Sequence, residues 1–443
     1  MNRRLFLWSV VSALAGFLFG FDTVVISGAE QKIQTLWGLT AGMHGLAMGA
    51  ALYGTVLGSL LGGWPTDRFG RKKTLIAIGV LYVLSAFGCA FANGAGTFIV
   101  ARLLGGLGIG VSTVAAPLYI SEIAPPAYRG RLAGMFQFNI VFGIVAAFAS
   151  NAIIASIGGA DAWRWMLGIA AVPSVVYAAM CLGLPESPRW LIGRKGDRAA
   201  GLAVLRLIEP EQPPARLEAR ADEMIAAVHT EKDVASHFWS WRLRVPILLA
   251  ILIAFFNQLS GINAVLYFAP RIFEMTGLGK EAALLQSVGI GVTNLAFTFV
   301  GLWLIDRLGR RTLLYLGSIG YIVSLGLTAW AFFTQHYGIV PVCIFAFIAS
   351  HAIGQGTVIW VFISEIFPNR HRAEGQALGS FTHWVFAALL TTFFPKMVTA
   401  FAPGYVFLFF CSMMVLQLVW VHLAVPETKG RSLEDIQRDF DAS

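Results

Sequence analysis

Twelve apolar stretches run along this chain, near 6–29, 43–63, 74–92, 97–120, 132–156, 164–184, 245–268, 283–305, 312–333, 339–363, 376–400 and 403–425. Each is close to the ~20 residues that a helix needs to cross a bilayer. Apolar residues make up 57% of the chain and charged residues 13%, against ~25% charged in soluble domains. So few charges cannot cover a soluble surface, and an all-α membrane protein of twelve transmembrane helices is expected. The start of the chain imitates a secretory signal, with Arg3 and Arg4, an apolar run and Ala13-x-Ala15. That run continues to Ile26 with eleven more behind it, so an uncleaved first span is expected.

The chain also repeats itself. Asp67-Arg68-Phe69-Gly70-Arg71-Lys72 returns as Asp306-Arg307-Leu308-Gly309-Arg310-Arg311. Glu122 with Arg129 returns as Glu365 with Arg372, and Pro185-Glu186-Ser187-Pro188-Arg189 as Pro426-Glu427-Thr428-Lys429-Gly430. The copies stay collinear at a separation of roughly 240 residues, the mark of a duplicated architecture. Two pseudo-symmetric six-helix bundles are therefore expected over 1–185 and 244–426. Between them, 186–243 forms a polar linker whose segments 197–208 and 215–228 have the spacing of short amphipathic helices. The tail 427–443 is expected to be too short for a signalling or catalytic domain.

The net charge of +8 raises nucleic acid as a partner, and its distribution argues against that. With the N-terminus inside, 26 of the 32 lysines and arginines fall on the inner side, Lys32, Arg164, Arg271, Lys280 and Lys396 fall outside, and Arg102 lies in the membrane. The positive-inside rule then puts both termini in the cytoplasm of a cell whose inner or plasma membrane holds the protein. Anionic lipid, not nucleic acid, is the expected partner of the basic linker. Cys89, Cys181, Cys343 and Cys411 all fall inside spans without a pairing pattern, so they read as packing thiols, and no metal site or cofactor is expected.

Asp22 and Arg102 are the two charges well inside apolar spans. A charge at that depth needs a partner or water, which makes both functional candidates. An ion pair that only holds helices is one reading. The other is a proton site: burial favours the neutral acid, the guanidinium favours the carboxylate, and separating the two changes proton affinity. Span seven holds Asn257-Gln258-Leu259-Ser260-Gly261-Ile262-Asn263, followed by Tyr267-Phe268. Such polar groups demand partners in hydrocarbon, and Gly261 permits the helix to bend or unwind. Amides that donate and accept, beside aromatic faces, suit a polyhydroxylated ligand; a structural amide network is the alternative. Gln137, Asn294, Gln355, Trp360, His383 and Trp384 extend this set, mostly in the second half, towards one lined cavity.

Asp67, Arg71, Asp306 and Arg310 sit where spans two and eight leave the membrane, and an inter-helix latch is expected of them. Glu122 with Arg129 and Glu365 with Arg372 occupy matching ends of spans four and ten. These symmetric charges are expected to hold the halves together when the cavity opens outward and to break for the inward-open state. Gly54, Gly58 and Gly62 in span two, and Gly106 and Gly110 in span four, recur at a spacing that lets helix backbones approach, for static packing or for sliding.

Together, Phe19-Gly20-Phe21-Asp22, the two Asp-Arg-x-Gly-Arg motifs, the Pro-Glu-Ser/Thr motifs and Gln258-Leu259-Ser260-Gly261-Ile262-Asn263 resemble the sugar porter family of the major facilitator superfamily, over essentially the whole chain. The resemblance implies a monosaccharide, pentose or hexose, bound between two bundles that rock about it. It implies Gln137, Gln258, Asn263, Asn294 and the aromatics of spans ten and eleven as ligands, and Tyr267 with Phe268 as an external lid. An aspartate matching Asp22, opposite an arginine matching Arg102, stands in the family's proton-coupled members, and asparagine in its passive animal facilitators. Asn257 departs from the usual glutamine, Phe268 from a second tyrosine, His383 from an amide, and Gln355 and Thr357 from aromatic or proline positions. Proton-coupled sugar import by a monomer is the leading expectation, with a passive facilitator as alternative and a transport-dead sensor as a further one. No nucleophile with its base, metal cluster or phosphate-binding loop marks an enzyme.

Overall fold

The structure, a computed structural model, describes residues 3–232, 238–368 and 371–430. It contains twelve helices long and apolar enough to cross a membrane: Arg3–Gly28, Ala41–Leu61, Arg71–Ala90, Ala95–Ile123, Gly134–Ile157, Ala162–Leu182, Arg244–Tyr267, Lys280–Leu308, Arg310–Thr334, Tyr337–Ile366, Arg372–Ala400 and Pro403–Ala424. They are spans one to twelve in chain order. Several outrun their apolar stretches because long basic side chains at the rims keep their heads in water. Three short helices, Pro188–Gly193, Arg198–Ile208 and Pro214–Lys232, follow span six. The latter two match the amphipathic segments of the linker; the first is additional. Positions 431–443 of the expected tail lie outside the described residues.

Packing follows the duplication. In the first bundle span one packs on five, two on four and three on six; in the second, seven packs on eleven, eight on ten and nine on twelve. Between the bundles, span two meets eleven and span five meets eight, contacts that the pseudo-twofold exchanges. The glycines of spans two and four face one another. A Cβ on Gly106 would lie 1.8 Å from the Ala51 carbonyl oxygen, and one on Gly58 2.4 Å from that of Leu107. Both spans belong to one bundle, so this stripe packs that bundle's interior.

The repeated charges build two matching braces. In the first, Arg71 grips Glu122 with Nε at 2.9 Å from Oε2 and Nη2 at 2.8 Å from Oε1, while its Nη1 donates to the Thr66 carbonyl at 3.0 Å and to Asp67 at 3.2 Å. In the second, Arg310 grips Glu365 at 3.0 and 2.8 Å and reaches the Ile305 carbonyl at 3.0 Å and Asp306 at 3.2 Å. Glu186 accepts the backbone N–H of Arg71 at 2.8 Å, and Glu427 that of Arg310 at 2.9 Å. A carboxylate there meets the unpaired N–H groups and the positive end of the helix dipole. Gly70 and Gly309 turn at φ 93° and 92°, and a Cβ on either would fall 2.2 or 2.4 Å from the capping carboxylate. Ser187 and Thr428 complete the sets by donating to Glu122 and Glu365.

Glu122 pairs with Arg71 and Glu365 with Arg310, each the first residue of the neighbouring span. Arg372 is exposed, and the side chain of Arg129 lies outside the described residues. The helices that carry the two glutamates end at Ile123 and Ile366, before the arginines seven residues on, whereas Arg71 and Arg310 start adjacent helices and point straight at the carboxylates. With the cavity open on the linker face, each brace lies within its own bundle and stiffens it, the arrangement expected of the inward-open state.

The braces differ in burial: the Glu122 side chain is 4% exposed and that of Glu365 29%. Removing one partner of a buried ion pair costs about 3–5 kcal/mol, and water screens the more open one. Glu122→Gln should therefore lower the thermal unfolding temperature of purified protein more than Glu365→Gln does. Equal shifts would contradict this account of the braces. Gly106→Val, which overfills the stripe, should also destabilise, by about 1–3 kcal/mol or more, while Gly63→Ala, where a Cβ meets nothing within 4 Å, should be silent.

Candidate functional site

Asp22 lies late in span one and Arg102 early in span four, and the packing of the first bundle brings them together. The Nη1 atom of Arg102 is 2.9 Å from both carboxylate oxygens of Asp22, and Nη2 donates to the Asp22 carbonyl at 3.3 Å. Asp22 is 5% and Arg102 1% exposed. Span one approaches span five closely enough that a Cβ on Gly20 would lie 1.8 Å from the Ile140 carbonyl oxygen. The pair is thus buried between spans one and four, with Tyr267 of span seven, in the other bundle, close to Arg102. Phe19, Gly20 and Thr23, the neighbours of Asp22 in sequence, line the central cavity instead.

That cavity has a volume of about 750 Å³ and lies between the bundles. Gln137, Asn257, Gln258, Asn263, Asn294, Trp360, His383 and Trp384 all line it. Local backbone breaks explain much of this. Span seven runs helically to Leu259, turns at Gly261 with φ 88°, and resumes at Ile262. Freed backbone groups are met by Ser260, whose Oγ donates to the Asn257 carbonyl at 2.6 Å and accepts from the Ile262 N–H at 3.3 Å. The amides on either side of the break then converge. Gln258 Nε2 donates to Asn257 Oδ1 at 2.9 Å, Asn263 Nδ2 donates to Gln258 Oε1 at 2.6 Å, and Gln258 Nε2 lies 3.1 Å from His383 Nε2. Each amide keeps donor or acceptor capacity beyond these bonds. His383 sits against Trp360 and Trp384 with ring centroids 5.2 and 4.7 Å apart. Phe19 meets Trp384 from the other bundle at 5.4 Å.

Gln355 is not part of this lining. Span ten breaks at Gly354 (φ −88°, ψ −102°), which turns Gln355 to the back of the second bundle. There its Nε2 donates to Gln417 Oε1 at 2.9 Å, and Gln417 donates to Ser318 at 2.7 Å. Thr357 satisfies the break by donating to the Ala352 carbonyl at 2.6 Å. His351 lines the cavity instead, its Nδ1 2.6 Å from the Tyr321 hydroxyl. A histidine inside an apolar run was the available signal.

The cavity is open towards one side. Its walls include Ser59, Leu60 and Gly63 at the end of span two and Ala373, Gln376 and Ala377 at the start of span eleven, all on the face that carries the linker. Towards the other face, Tyr267 and Phe268 are buried, at 1% and 0% exposed, and Phe268 packs on Phe394 with centroids 5.0 Å apart. They do not line the cavity; they close it.

A model of the sugar (and other) transporter family matches residues 8–440. The chain is similar to the arabinose-proton symporter of Bacillus subtilis, 35% identical over 437 residues that cover 97% of this chain and 94% of that protein. It is also similar to the glucose transporter GlcP of Staphylococcus epidermidis, 34% identical over 444 residues, 99% and 98% of the two chains. A solved structure of the xylose transporter XylE from E. coli, in a partially occluded inward-open conformation, aligns with a TM-score of 0.86 at 29% identity, over 97% of this chain and all of that one. Sequence and fold agree over nearly the full length, and the chain belongs to the sugar transporter family.

Proposed function

We propose that this protein imports a monosaccharide, pentose or hexose, together with a proton by alternating access. It works as a monomer in the plasma membrane, with both termini and the linker in the cytoplasm. The observation that carries the reading is the buried Asp22–Arg102 pair, set on the very span whose Phe19, Gly20 and Thr23 line the cavity. The printed activity of the arabinose-proton relative supports it. The basic residues concentrated on the linker face support the orientation, and with it the net charge reflects topology and anionic lipid, not nucleic acid. One chain encloses the whole cavity, so no second copy is needed to complete it.

In this orientation the cavity faces the cytoplasm. Both carboxylate oxygens of Asp22 engage Arg102, which suits the charged acid after proton release. Protonating Asp22 would leave a buried guanidinium uncompensated, so proton binding must accompany a shift of span one against span four. Span one also contributes to the sugar cavity, and that shared helix couples the two events. For the sugar, the span-seven amides and His383 supply paired donors and acceptors, Asn294 and Gln137 add amides from spans eight and five, and Trp360 and Trp384 cover the apolar faces of a ring. The two braces keep each bundle rigid while the bundles rock.

Asp22→Asn in proteoliposomes should retain counterflow exchange of labelled sugar and lose accumulation driven by a proton gradient. A variant that still concentrates sugar would place coupling elsewhere. Gln258→Ala and Asn294→Ala should each weaken sugar binding roughly tenfold, about 1.4 kcal/mol, in calorimetric titration. Gln355→Ala, behind the cavity wall, should stay within about twofold; a tenfold loss there would contradict this cavity lining.

A further inference from the structure

The polar contacts found between the two bundles gather on the face opposite the linker, and a buried ion pair is their centre. Glu30 opens the short helix Glu30–Leu36 after span one and is 0% exposed. Arg271, on the helix Ala269–Glu274 of the other bundle, donates from Nε to Glu30 Oε1 at 2.9 Å and from Nη2 to Oε2 at 2.7 Å. The same Nη2 lies 2.6 Å from Gln34 Oε1. His44, at the start of span two and also 0% exposed, places Nε2 2.7 Å from Glu30 Oε2. A carboxylate only accepts, so this nitrogen carries the hydrogen, and Nδ1 has no partner among the described residues. Gln31 reaches Glu274 across the same interface at 3.1 Å.

We propose that Glu30, His44 and Arg271 form the outer latch of the transport cycle: their assembly holds the entrance shut, and sugar enters from outside only after Arg271 and Glu30 part. The cluster differs from the two braces in one respect. In this inward-facing arrangement each brace satisfies its charges within a single bundle. Glu30 and Arg271 come from opposite bundles, so relative motion makes or breaks the pair. In the closed state each buried charge is compensated by the other; on opening, both regain water, which offsets the lost attraction. The latch therefore biases the equilibrium without freezing it. It sits beside the closest approach of the bundles, where a Cβ on Gly45 would fall 1.9 Å from the Thr392 carbonyl oxygen, and His44 lies against the closing Phe268 with ring centroids 6.2 Å apart. The signature of these residues in sequence was slight, since charges at span ends look like ordinary rim residues.

The inference rests on the alternating-access reading above, and one experiment separates their failures. Spin labels at Lys32→Cys and Ala282→Cys, exposed positions on either side of this face, report its opening by pulsed electron resonance in nanodiscs; the four native cysteines are buried. Glu30→Gln and Arg271→Gln should each raise the long-distance population at least about threefold over the wild type. The double variant should do no more than either single change, because the two report one interaction. His44→Ala should shift the population in the same direction, and His44→Gln, which keeps a donor, should not; these two serve if the charge variants fail to fold. A wild type with one outer distance with or without sugar, at every pH, would overturn alternating access itself. Two wild-type populations that ignore all these variants, or additive effects in the double variant, would overturn the latch alone.

Discussion

Hydrocarbon offers no partner to a charge or an amide, and every informative feature of this molecule follows from how the chain answers that constraint. Arg71 and Arg310 each find a carboxylate, a backbone carbonyl and an aspartate at the rim. Arg102 finds Asp22 in the interior of a bundle. The amides of span seven find one another and His383 around a broken helix. Each answer fixes a set of helices relative to one another, and the groups left incompletely answered line the central cavity.

The duplication divides these answers into two kinds. What is repeated, Arg71/Arg310, Glu122/Glu365 and Glu186/Glu427, lies within single bundles and gives two stiff bodies of similar construction. What is not repeated is where we propose the specific work lies: Asp22 and Arg102 in the first bundle, the Asn257 to Asn263 segment in the second, and the Glu30–Arg271 contact between them. The contacts of span two with eleven and of span five with eight exchange under the pseudo-symmetry. A molecule so built has a ready route between states open on opposite faces, since each contact surface has a counterpart of the same design.

Twelve spans, two bundles and the Asp22–Arg102 pair were legible in the sequence because length, repetition and isolated charge are one-dimensional signals. Most of the cavity lining was legible for a related reason: amides and aromatics stand out against an apolar run. Gln355 was not, because its direction depends on the backbone break at Gly354, and His351 lines the cavity in its place. Arg71 and Arg310 reach Glu122 and Glu365 from 51 and 55 residues away, a pairing that local spacing does not record. Glu30, His44 and Arg271 left almost no signal, because a pairing across 241 residues between bundles depends on the state of the whole fold.

The central claim is that sugar movement and proton movement are one process. It is tested most directly by loading wild-type proteoliposomes with a pH-sensitive dye and adding sugar outside with no imposed gradient. The account predicts internal acidification that grows with the sugar taken up. Sugar entry with no change in internal pH would contradict it and make the protein a passive facilitator.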